Sequence, residues 1–451
     1  MGHFVPHTDA DLERMLSDIG LSSLDDLFAA VPAALRLAGG LDMADGLSEP
    51  DVLAEMDRLG SLNRWGSDLV CFAGAGAYDH EVPSATKRLT LRSEFVTAYT
   101  PYQPEVAQGV LQALFEYQTL ISRLSGLAVA NASLYDGASA AVEGVNLATA
   151  AKSRPTVWVS GGVHPHWRAV LRTFAAGTGH RLVEVPLRDG VTDWAAAPAG
   201  QAEPPAALLV ATPNYLGALE DLAAARAVAD AHGALVIAGF DPVSSGLLHP
   251  PGELGADVVV GEGQPFGTPL SFGGPYLGLF ACRLEQVRRL PGRLVGRTVD
   301  TAGRPAYVTT LRAREQDIRR EKASSNVCTN QTLIAVACMI QLSWLGTAGL
   351  REMALRCARG TRYARDALTA IPGVSLVADA PTLREFALRL PVPAETVVER
   401  MADEGFLAGV PVGLEDGIVT DHGPHLLVAV TERRTRAEID SYVSCLEKVI
   451  R

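Results

Sequence analysis

The sequence predicts an α/β protein with a large, mostly parallel sheet covered by helices and a smaller α+β module after it. Three observations predict this. Between residues 96 and 325, short apolar runs alternate with helical stretches, as parallel strands joined by helical crossovers require. The runs are apolar at nearly every position rather than every second one, the pattern of strands buried on both faces. From residue 326 onward two long helical stretches come first, and strands and helices then mix.

Residues 1–95 read as an N-terminal arm of short helices. Thr8 caps a helix starting at Asp9, whose acidic first turn suits the positive end of the helix dipole, and Gly20 ends it. Ser23 opens a second short helix through LDDLF, Pro32 begins a further break, and 51–65 is amphipathic at helical spacing. In the large domain, 96–325, a helix over 105–125 ends at Gly126. Strands are expected at 156–160, 181–187, 206–212, 234–240, 257–263 and 276–282, with helices over 166–177 and 221–233 between them. In the C-terminal domain, 326–451, helices over 331–346 and 350–370 precede strands at 374–378 and 386–390. A helix over 395–405, a strand at 426–430 and a last helix from Thr435 follow.

Composition narrows the function. The 451 residues carry 39 Lys and Arg against 51 Asp and Glu, a formal net charge of −12. That balance argues against general nucleic-acid binding, which needs a basic surface. The six cysteines are dispersed with no CxxC pair, so they read as reduced thiols of a cytoplasmic protein, with neither a disulfide frame nor a metal site. MGHFVPHTDADLERML lacks the apolar core of a signal peptide, and no run reaches the roughly 18 apolar residues of a membrane span. Only four lysines occur, Lys87, Lys152, Lys322 and Lys448, so chemistry that needs a lysine amine has four candidates.

The motifs sit in and beside loops. CFAGAGAYDHEVPSA (71–85) is a Gly-rich loop offering Tyr78, Asp79 and His80. It lacks the strand–GxGxxG–helix order of a dinucleotide fold and could equally be a turn between helices. SEFVTAYTPYQPEVAQG (93–109) holds Tyr99, Thr100, Tyr102 and Gln103 on a proline-framed segment too polar for a core strand. In ASLYDGASAAVEGVNLA (132–148), Gly137, Ala138 and Ser139 open a helix whose free N–H groups suit an anion. His164 follows a strand and can stack on a flat ring or be an ordinary turn histidine; its i,i+2 spacing to His166 is poor for a metal. Asp241 lies at the carboxyl end of an apolar strand, where open α/β sheets bind ligands, and an Asp there can pair with a pyridinium nitrogen. A pyridoxal-phosphate enzyme of this layout would place its Schiff-base lysine in the next Gly-rich loop, GEGQPFGTPLSFGGPYLG (261–278). That loop has Gln264 and no lysine. Ser324, Ser325, Asn326 and Asn330 lead into the long apolar helix, and capping accounts for at least one of them.

The runs FAGAGAYDHEVPSA, SEFVTAYTPYQPEVAQGVLQALFEYQT, VANASLYDGASAAVE, GEGQPFGTPLSFGGPYLG and SSNVCTNQ together resemble the P-protein of the glycine cleavage system, glycine dehydrogenase (decarboxylating), in the alpha chain of its two-subunit form. The resemblance extends from HTDADLERML to VTERRTRAEID, nearly the whole chain. It implies a fold-type I, aspartate-aminotransferase-like architecture and an α2β2 heterotetramer. In that assembly the beta subunit carries pyridoxal phosphate on its own lysine and the alpha chain has lost that lysine, as Gln264 suggests. The implied reaction decarboxylates glycine and passes its aminomethyl group to the lipoyl arm of H-protein. Tyr99, Thr100, Tyr102, Gln103, Tyr78, Asp79 and His80, with Ser325 and Asn326, are then candidates to reach an active site at the subunit interface. Gly137, Ser139, His164, Asp241 and Gln264 would line a remnant cofactor pocket. Two rival readings stand beside this one. A self-sufficient pyridoxal-phosphate lyase would use Lys322 or Lys152, which lie in helical or charged stretches. A purely structural or regulatory partner would not need the tyrosine-rich segment, which is intact.

Overall fold

The first helix starts at its cap. Thr8 Oγ1 accepts from the amide of Asp11 while the Asp11 carboxylate accepts from the amide of Thr8, a reciprocal capping box that opens α1 (Asp9–Asp18). Ser23 and Asp26 repeat the device over the single turn Leu24–Phe28, and Ser48 caps α2 (Glu49–Gly60). α2 therefore ends five residues before the expected 65, at Gly60. The computed structural model describes all residues except 1–5, 38–40, 65–67, 97–98, 198–202, 272, 312–314 and 324. Ser324 thus lies outside the described residues. The chain forms two units, Met1–Arg64 and Trp65–Arg451.

The second unit opens with β1 (Val70–Cys71), then α3 (Ser84–Thr90), α4 (Ser93–Val96) and α5 (Gln108–Ser125). Pro104–Val106 form a single 3-10 turn, so α5 begins three residues after the expected 105, and Gly126 at φ 72° ends it. Next come β2 (Val129–Ala130), α6 (Gly137–Lys152), β3 (Thr156–Ser160), α7 (Pro165–Thr178), β4 (Arg181–Val185) and a small hairpin of β5 (Leu187–Arg188) and β6 (Val191–Thr192). β7 (Ala207–Thr212), α8 (Leu222–His232), β8 (Leu235–Phe240), β9 (Val258–Glu262) and β10 (Gly278–Cys282) complete the large sheet. Its seven strands run in the order β2-β10-β9-β8-β7-β3-β4. β4, β3, β7, β8 and β9 are mutually parallel, and β10 is antiparallel to both of its neighbours.

Every residue of β3, β8 and β10 is buried, as continuous apolar strands predict. Alternate side chains feed opposite faces. Leu208 and Val210 of β7 pack in one core with Leu111 and Leu114 of α5, whereas Leu209 packs in the other with Val142 and Val145 of α6. A two-stranded ribbon, β11 (Leu294–Val299) with β12 (Pro305–Thr310), follows, then the short α9 (Glu315–Arg319). The sequence pattern did not reveal this ribbon, because its outer half is exposed and polar.

α10 (Thr332–Thr369) is two helices meeting at Gly346, whose φ 58° and ψ −173° interrupt the helix between the two predicted segments. Taken across the kink, α10 has the length and hydropathy of a membrane span. Ala335, Val336, Cys338 and Leu342 nevertheless pack into the core against the sheet, as in a buried core helix. The chain ends with β13 (Ser375–Leu376), β14 (Glu385–Arg389), α11 (Ala394–Asp403), β15 (Phe406–Leu407), β16 (Val410–Glu415), β17 (Ile418–Ala429) and α12 (Arg436–Ile450). The antiparallel order β13-β14-β17-β16 forms a second sheet, and β15 pairs with β1, tying the start of this unit to its end. β17 starts eight residues before the predicted 426, and β16 was not predicted. Their shared turn is polar, and the register shifts between Val412 and Gly413.

Candidate active site

The parallel strands end on a common edge, the edge at which open α/β sheets bind ligands. There β9 ends in Glu262, and the chain turns into the loop holding Gln264. Gln264 is fully buried. Its Oε1 accepts from Tyr78 N at 3.0 Å, and its Nε2 donates to Tyr78 O at 3.0 Å and to Thr268 O at 2.9 Å. The side chain thus clamps the 71–85 loop as a neighbouring strand would. Burial leaves amides and carbonyls no water to bond, so Gln264 satisfies what the loop backbone cannot satisfy itself.

The start of α6 is filled in the same way. Asp136 caps the helix by accepting from Ser139 N at 2.7 Å, and Gly137 N donates to Glu262 Oε2 at 3.0 Å. Glu262 Oε1 accepts from Gln264 N at 3.0 Å and Leu277 N at 2.9 Å. A carboxyl group therefore sits on the amides that an anion would use. Burial pushes Glu262 up to about 8, against the pull of those three amides. Trp167 of α7 covers the same helix start, and a Cβ on Gly137 would lie 2.2 Å from Trp167 Cζ2.

Asp241 caps its own turn by accepting from Val243 N at 3.0 Å, and it pairs with Arg384 at 2.9 Å. Arg384 is buried and lies over the Tyr78 ring, 3.5 Å from its centroid. Burial works against its charge, but Asp241 and the groups around it hold the guanidinium proton more tightly than usual. Arg384 also donates to His80 Nε2. His80 must then keep its proton on Nδ1, which faces Glu432 Oε2 at 2.6 Å. Burial lowers the His80 pKa, consistent with a neutral ring. Burial raises Glu432 less than His80 and the Glu81 amide lower it, so its carboxyl stands at about 2. Tyr78 Oη donates to Glu385 Oε2 at 2.9 Å and Ala75 N donates to Oε1 at 2.7 Å; burial still drives Glu385 up to about 7. His164 Nδ1 accepts from His166 N at 3.1 Å while Nε2 bonds Ala75 O at 3.0 Å, and burial brings the ring down to about 4.

What these groups enclose is a cavity of about 90 Å³. Ordinary small-molecule pockets run from roughly 300 to 1,000 Å³. Pyridoxal phosphate does not fit. Glu262 and Trp167 cover the helix start, Arg384 holds Asp241, the loop after β9 carries Gln264 and no lysine, and none of the four lysines lines the cavity. Lys448 pairs with Glu404 at 2.7 Å, Lys152 lies in the last turn of α6, and Lys87 and Lys322 are exposed. His80, Cys357 and Glu432 are close enough to share a cation. Burial holds the Cys357 proton on, however, and the Arg384 charge abuts His80, whereas a metal needs the thiolate.

The candidates therefore divide among three places. Tyr78, Asp79 and His80 join Gly137, Ser139, His164, Asp241 and Gln264 around the edge of the sheet. Asp79 turns outward to pair with Arg433 and with Arg434, the latter at 3.1 Å. Tyr99, Thr100, Tyr102 and Gln103 lie on the segment before α5. Tyr99 is 81% exposed, and the Tyr102 hydroxyl accepts from Arg293 Nη2 at 2.9 Å. Ser325 and Asn326 line a separate cavity of about 590 Å³ with Glu143, Asn146, Arg154 and His180. Asn330 is structural, donating to Ala132 O at 2.8 Å and Ser133 Oγ at 3.1 Å. Sequence reasoning missed Trp167, Glu262, Arg384, Glu385 and Glu432. The one local signal was the charged pair Arg384–Glu385 opening an apolar strand, where both side chains are buried.

Comparison with known proteins agrees with this geometry. The family model of the glycine cleavage system P-protein matches residues 2–446. A relative in Prosthecochloris aestuarii, named probable glycine dehydrogenase (decarboxylating) subunit 1, is 49% identical over 98% of this chain and 99% of its own length. One of the same name in Desulforamulus reducens is 44% identical over 97% of each. A crystal structure of glycine decarboxylase (P-protein) of the glycine cleavage system, in inhibitor-bound form, superposes with a TM-score of 0.89 at 43% identity, covering 99% of this chain and 100% of that one. Glutamate decarboxylase of Lactobacillus brevis shares the fold alone, with a TM-score of 0.67 at 14% identity over 95% of this chain and 96% of that one. The fold is that of fold-type I pyridoxal-phosphate enzymes. With a family match over nearly its whole length and a relative almost half identical along it, this chain belongs to the glycine cleavage system P-protein family.

Proposed function

We propose that this chain is the alpha subunit, without a Schiff-base lysine, of a two-subunit glycine decarboxylase of the cytoplasm. A homologous beta subunit carries the pyridoxal phosphate, the two assemble as α2β2, and lipoylated H-protein accepts the aminomethyl group. One observation carries the reading: the pocket at the sheet edge is clamped by Gln264 and filled by the chain's own side chains to about 90 Å³. On the partner, pyridoxal phosphate supplies an electron sink for the electrons that glycine's departing carboxylate leaves behind. This chain contributes shape and polarity. Tyr99 and Gln103 are exposed on a proline-framed segment, and Tyr102 is held in place by Arg293. From such a segment, hydroxyl and amide groups reach a neighbouring pocket, orient glycine and exclude water from the reacting carbon. The Thr100 hydroxyl is buried and makes no hydrogen bond among the described residues.

The test mixes the purified chain with the second subunit, glycine and lipoylated H-protein. Carbon dioxide release is expected only when both subunits are present, and borohydride should fix the cofactor on the partner alone. Stoichiometric trapping on a lysine of this chain would overturn the reading in favour of a self-sufficient lyase. Replacing Tyr102 with Phe is expected to lower decarboxylation about tenfold or more while the complex stays intact, the size of effect that misplacing one positioning group produces. Unchanged kinetics would remove Tyr102 from the site.

A further inference from the structure

The small cavity at the sheet edge excludes pyridoxal phosphate, yet its walls are chemically one-sided. Three carboxyl groups line it, Asp241, Glu262 and Glu385, against one guanidinium, Arg384. Asp241 takes that guanidinium at 2.9 Å, so two carboxyl groups stand in excess. His164, on another wall, adds no charge, since burial brings its ring down to about 4. Burial keeps protons on both glutamates, with Glu262 up at about 8 and Glu385 at about 7; the Asp136 carboxyl adds to this at the first and the Asp241 carboxyl at the second. A positive charge inside the cavity would do what those protons do. The remaining walls are aromatic. Trp167, Tyr215 and Phe240 line the cavity, while Arg384 already lies over the ring of Tyr78. Aromatic faces attract a cation, most strongly where water is excluded.

Tyr215 shows that the cavity lacks a hydrogen-bonding partner. It is only 7% exposed, and its ring centroid lies 4.6 Å from that of His164. Its hydroxyl makes no hydrogen bond among the described residues. Buried hydroxyls are ordinarily paired. This one belongs to a side chain on the cavity wall, where a donor inside the cavity would meet it. Burial first, then the Glu385 and Asp421 carboxyl groups, raise its pKa, so it stays a neutral hydroxyl that can accept. Size and charge define the ligand. One water needs about 10–15 Å³ of such space, so about 90 Å³ admits a solute of several heavy atoms. A chelated metal ion does not fit, because among the described residues only His80, Cys357 and Glu432 bring three such ligand atoms close together. An amino acid would set its carboxylate against those of the wall. We propose that the cavity binds a small primary ammonium ion, such as ammonium or methylammonium, between its aromatic walls, with Tyr215 Oη and the Glu262 and Glu385 carboxyl groups as acceptors. Every group in the site belongs to this chain, so it stands whether or not a second subunit joins.

The full-length chain is titrated with methylammonium chloride while sodium chloride keeps the ionic strength constant. Binding is read as saturation transfer from protein protons to the ligand methyl group. For a ligand of two heavy atoms the expected dissociation constant is about 10 mM. Ammonium chloride should displace the methylammonium. Tyr215→Phe keeps the ring and removes a hydroxyl that bonds nothing in the fold. It should weaken binding about tenfold, the scale of one hydrogen bond to a charged group. Glycine and tetramethylammonium are each expected to bind about tenfold more weakly or worse, glycine because of its carboxylate and tetramethylammonium for want of an N–H donor. A native chain that gives no saturable transfer overturns the site, and so does an unchanged constant in Tyr215→Phe. Glycine binding more tightly than methylammonium would make this an amino-acid pocket and overturn the ammonium assignment. Tetramethylammonium binding as tightly as methylammonium would leave only aromatic attraction, with no part for the hydroxyl and carboxyl acceptors, and overturn it as well. None of these outcomes alters whether carbon dioxide release needs both subunits, which the mixing experiment decides separately.

Discussion

Gln264 shows how much one residue decides. A lysine in that loop could anchor a cofactor, but glutamine has no amine to form a Schiff base. Its amide instead joins two stretches of backbone through Tyr78 and Thr268. Replacing Gln264 with Leu strands a buried amide and two carbonyls. The expected loss is about 3 kcal/mol of unfolding free energy, since each unsatisfied buried group costs about 1–3 kcal/mol. Urea denaturation measures it. Gln264→Lys should not bring the cofactor back. Trp167, Arg384 and Glu262 still fill the space, so a spectrum with added pyridoxal phosphate should show no trappable adduct at residue 264. A stoichiometric adduct there would mean that the pocket can open. Arg384→Met would strand the buried Asp241 carboxylate, and breaking a buried pair from one side costs about 3–5 kcal/mol.

At the scale of elements, the start of α6 and the kink in α10 depend on glycine for different reasons. At Gly137 the constraint is space, because the Trp167 ring lies where a Cβ would be. Gly137→Ala is expected to cost about 1–3 kcal/mol, as overpacking does. Trp167→Ala in the same chain should recover part of that cost, and a double-mutant cycle measures the coupling. At Gly346 a Cβ would meet open space, but φ 58° with ψ −173° is a conformation almost confined to glycine. Elements were legible where the apolar pattern was strong. The six runs chosen as strands all contain strands of the large sheet, because a strand buried on both faces needs an apolar residue at nearly every position. The ribbon of β11 and β12, the strand β16 and the first part of β17 were not legible. Each carries polar residues on an exposed face, and backbone pairing holds them as strands.

Across the whole molecule, the buried carboxyls set how stability depends on pH. Glu432 is held at about 2 in the folded protein, and its ordinary value is 4.5. It contributes stability above pH 5 that is lost as pH falls toward 2, because the unfolded chain takes up the proton first. Glu262 and Glu385 act in the opposite sense. Their folded values of about 8 and about 7 lie above the ordinary 4.5, so stability falls as pH rises from 4.5 through that range. The denaturation midpoint should therefore be highest near pH 5 and decline toward pH 8. Glu262→Gln should flatten that decline, whatever it costs at every pH through the altered bond to Gly137. An unchanged slope would show that Glu262 is ionised throughout.

The sequence by itself determined the α/β class, the parallel strands and their helices, the caps of the N-terminal helices, the family, and the absence of a lysine from the 261–278 loop that holds Gln264. These depend on local pattern and on motifs contiguous along the chain. Only the tertiary structure decided that the cofactor space is closed. Arg384, Glu385 and Glu432 lie more than a hundred residues from the partners they meet, and no spacing rule links them to Asp241, Tyr78 or His80. Buried charge must find its counter-charge wherever the fold brings one, and that pairing is a property of packed elements rather than of neighbours in the chain.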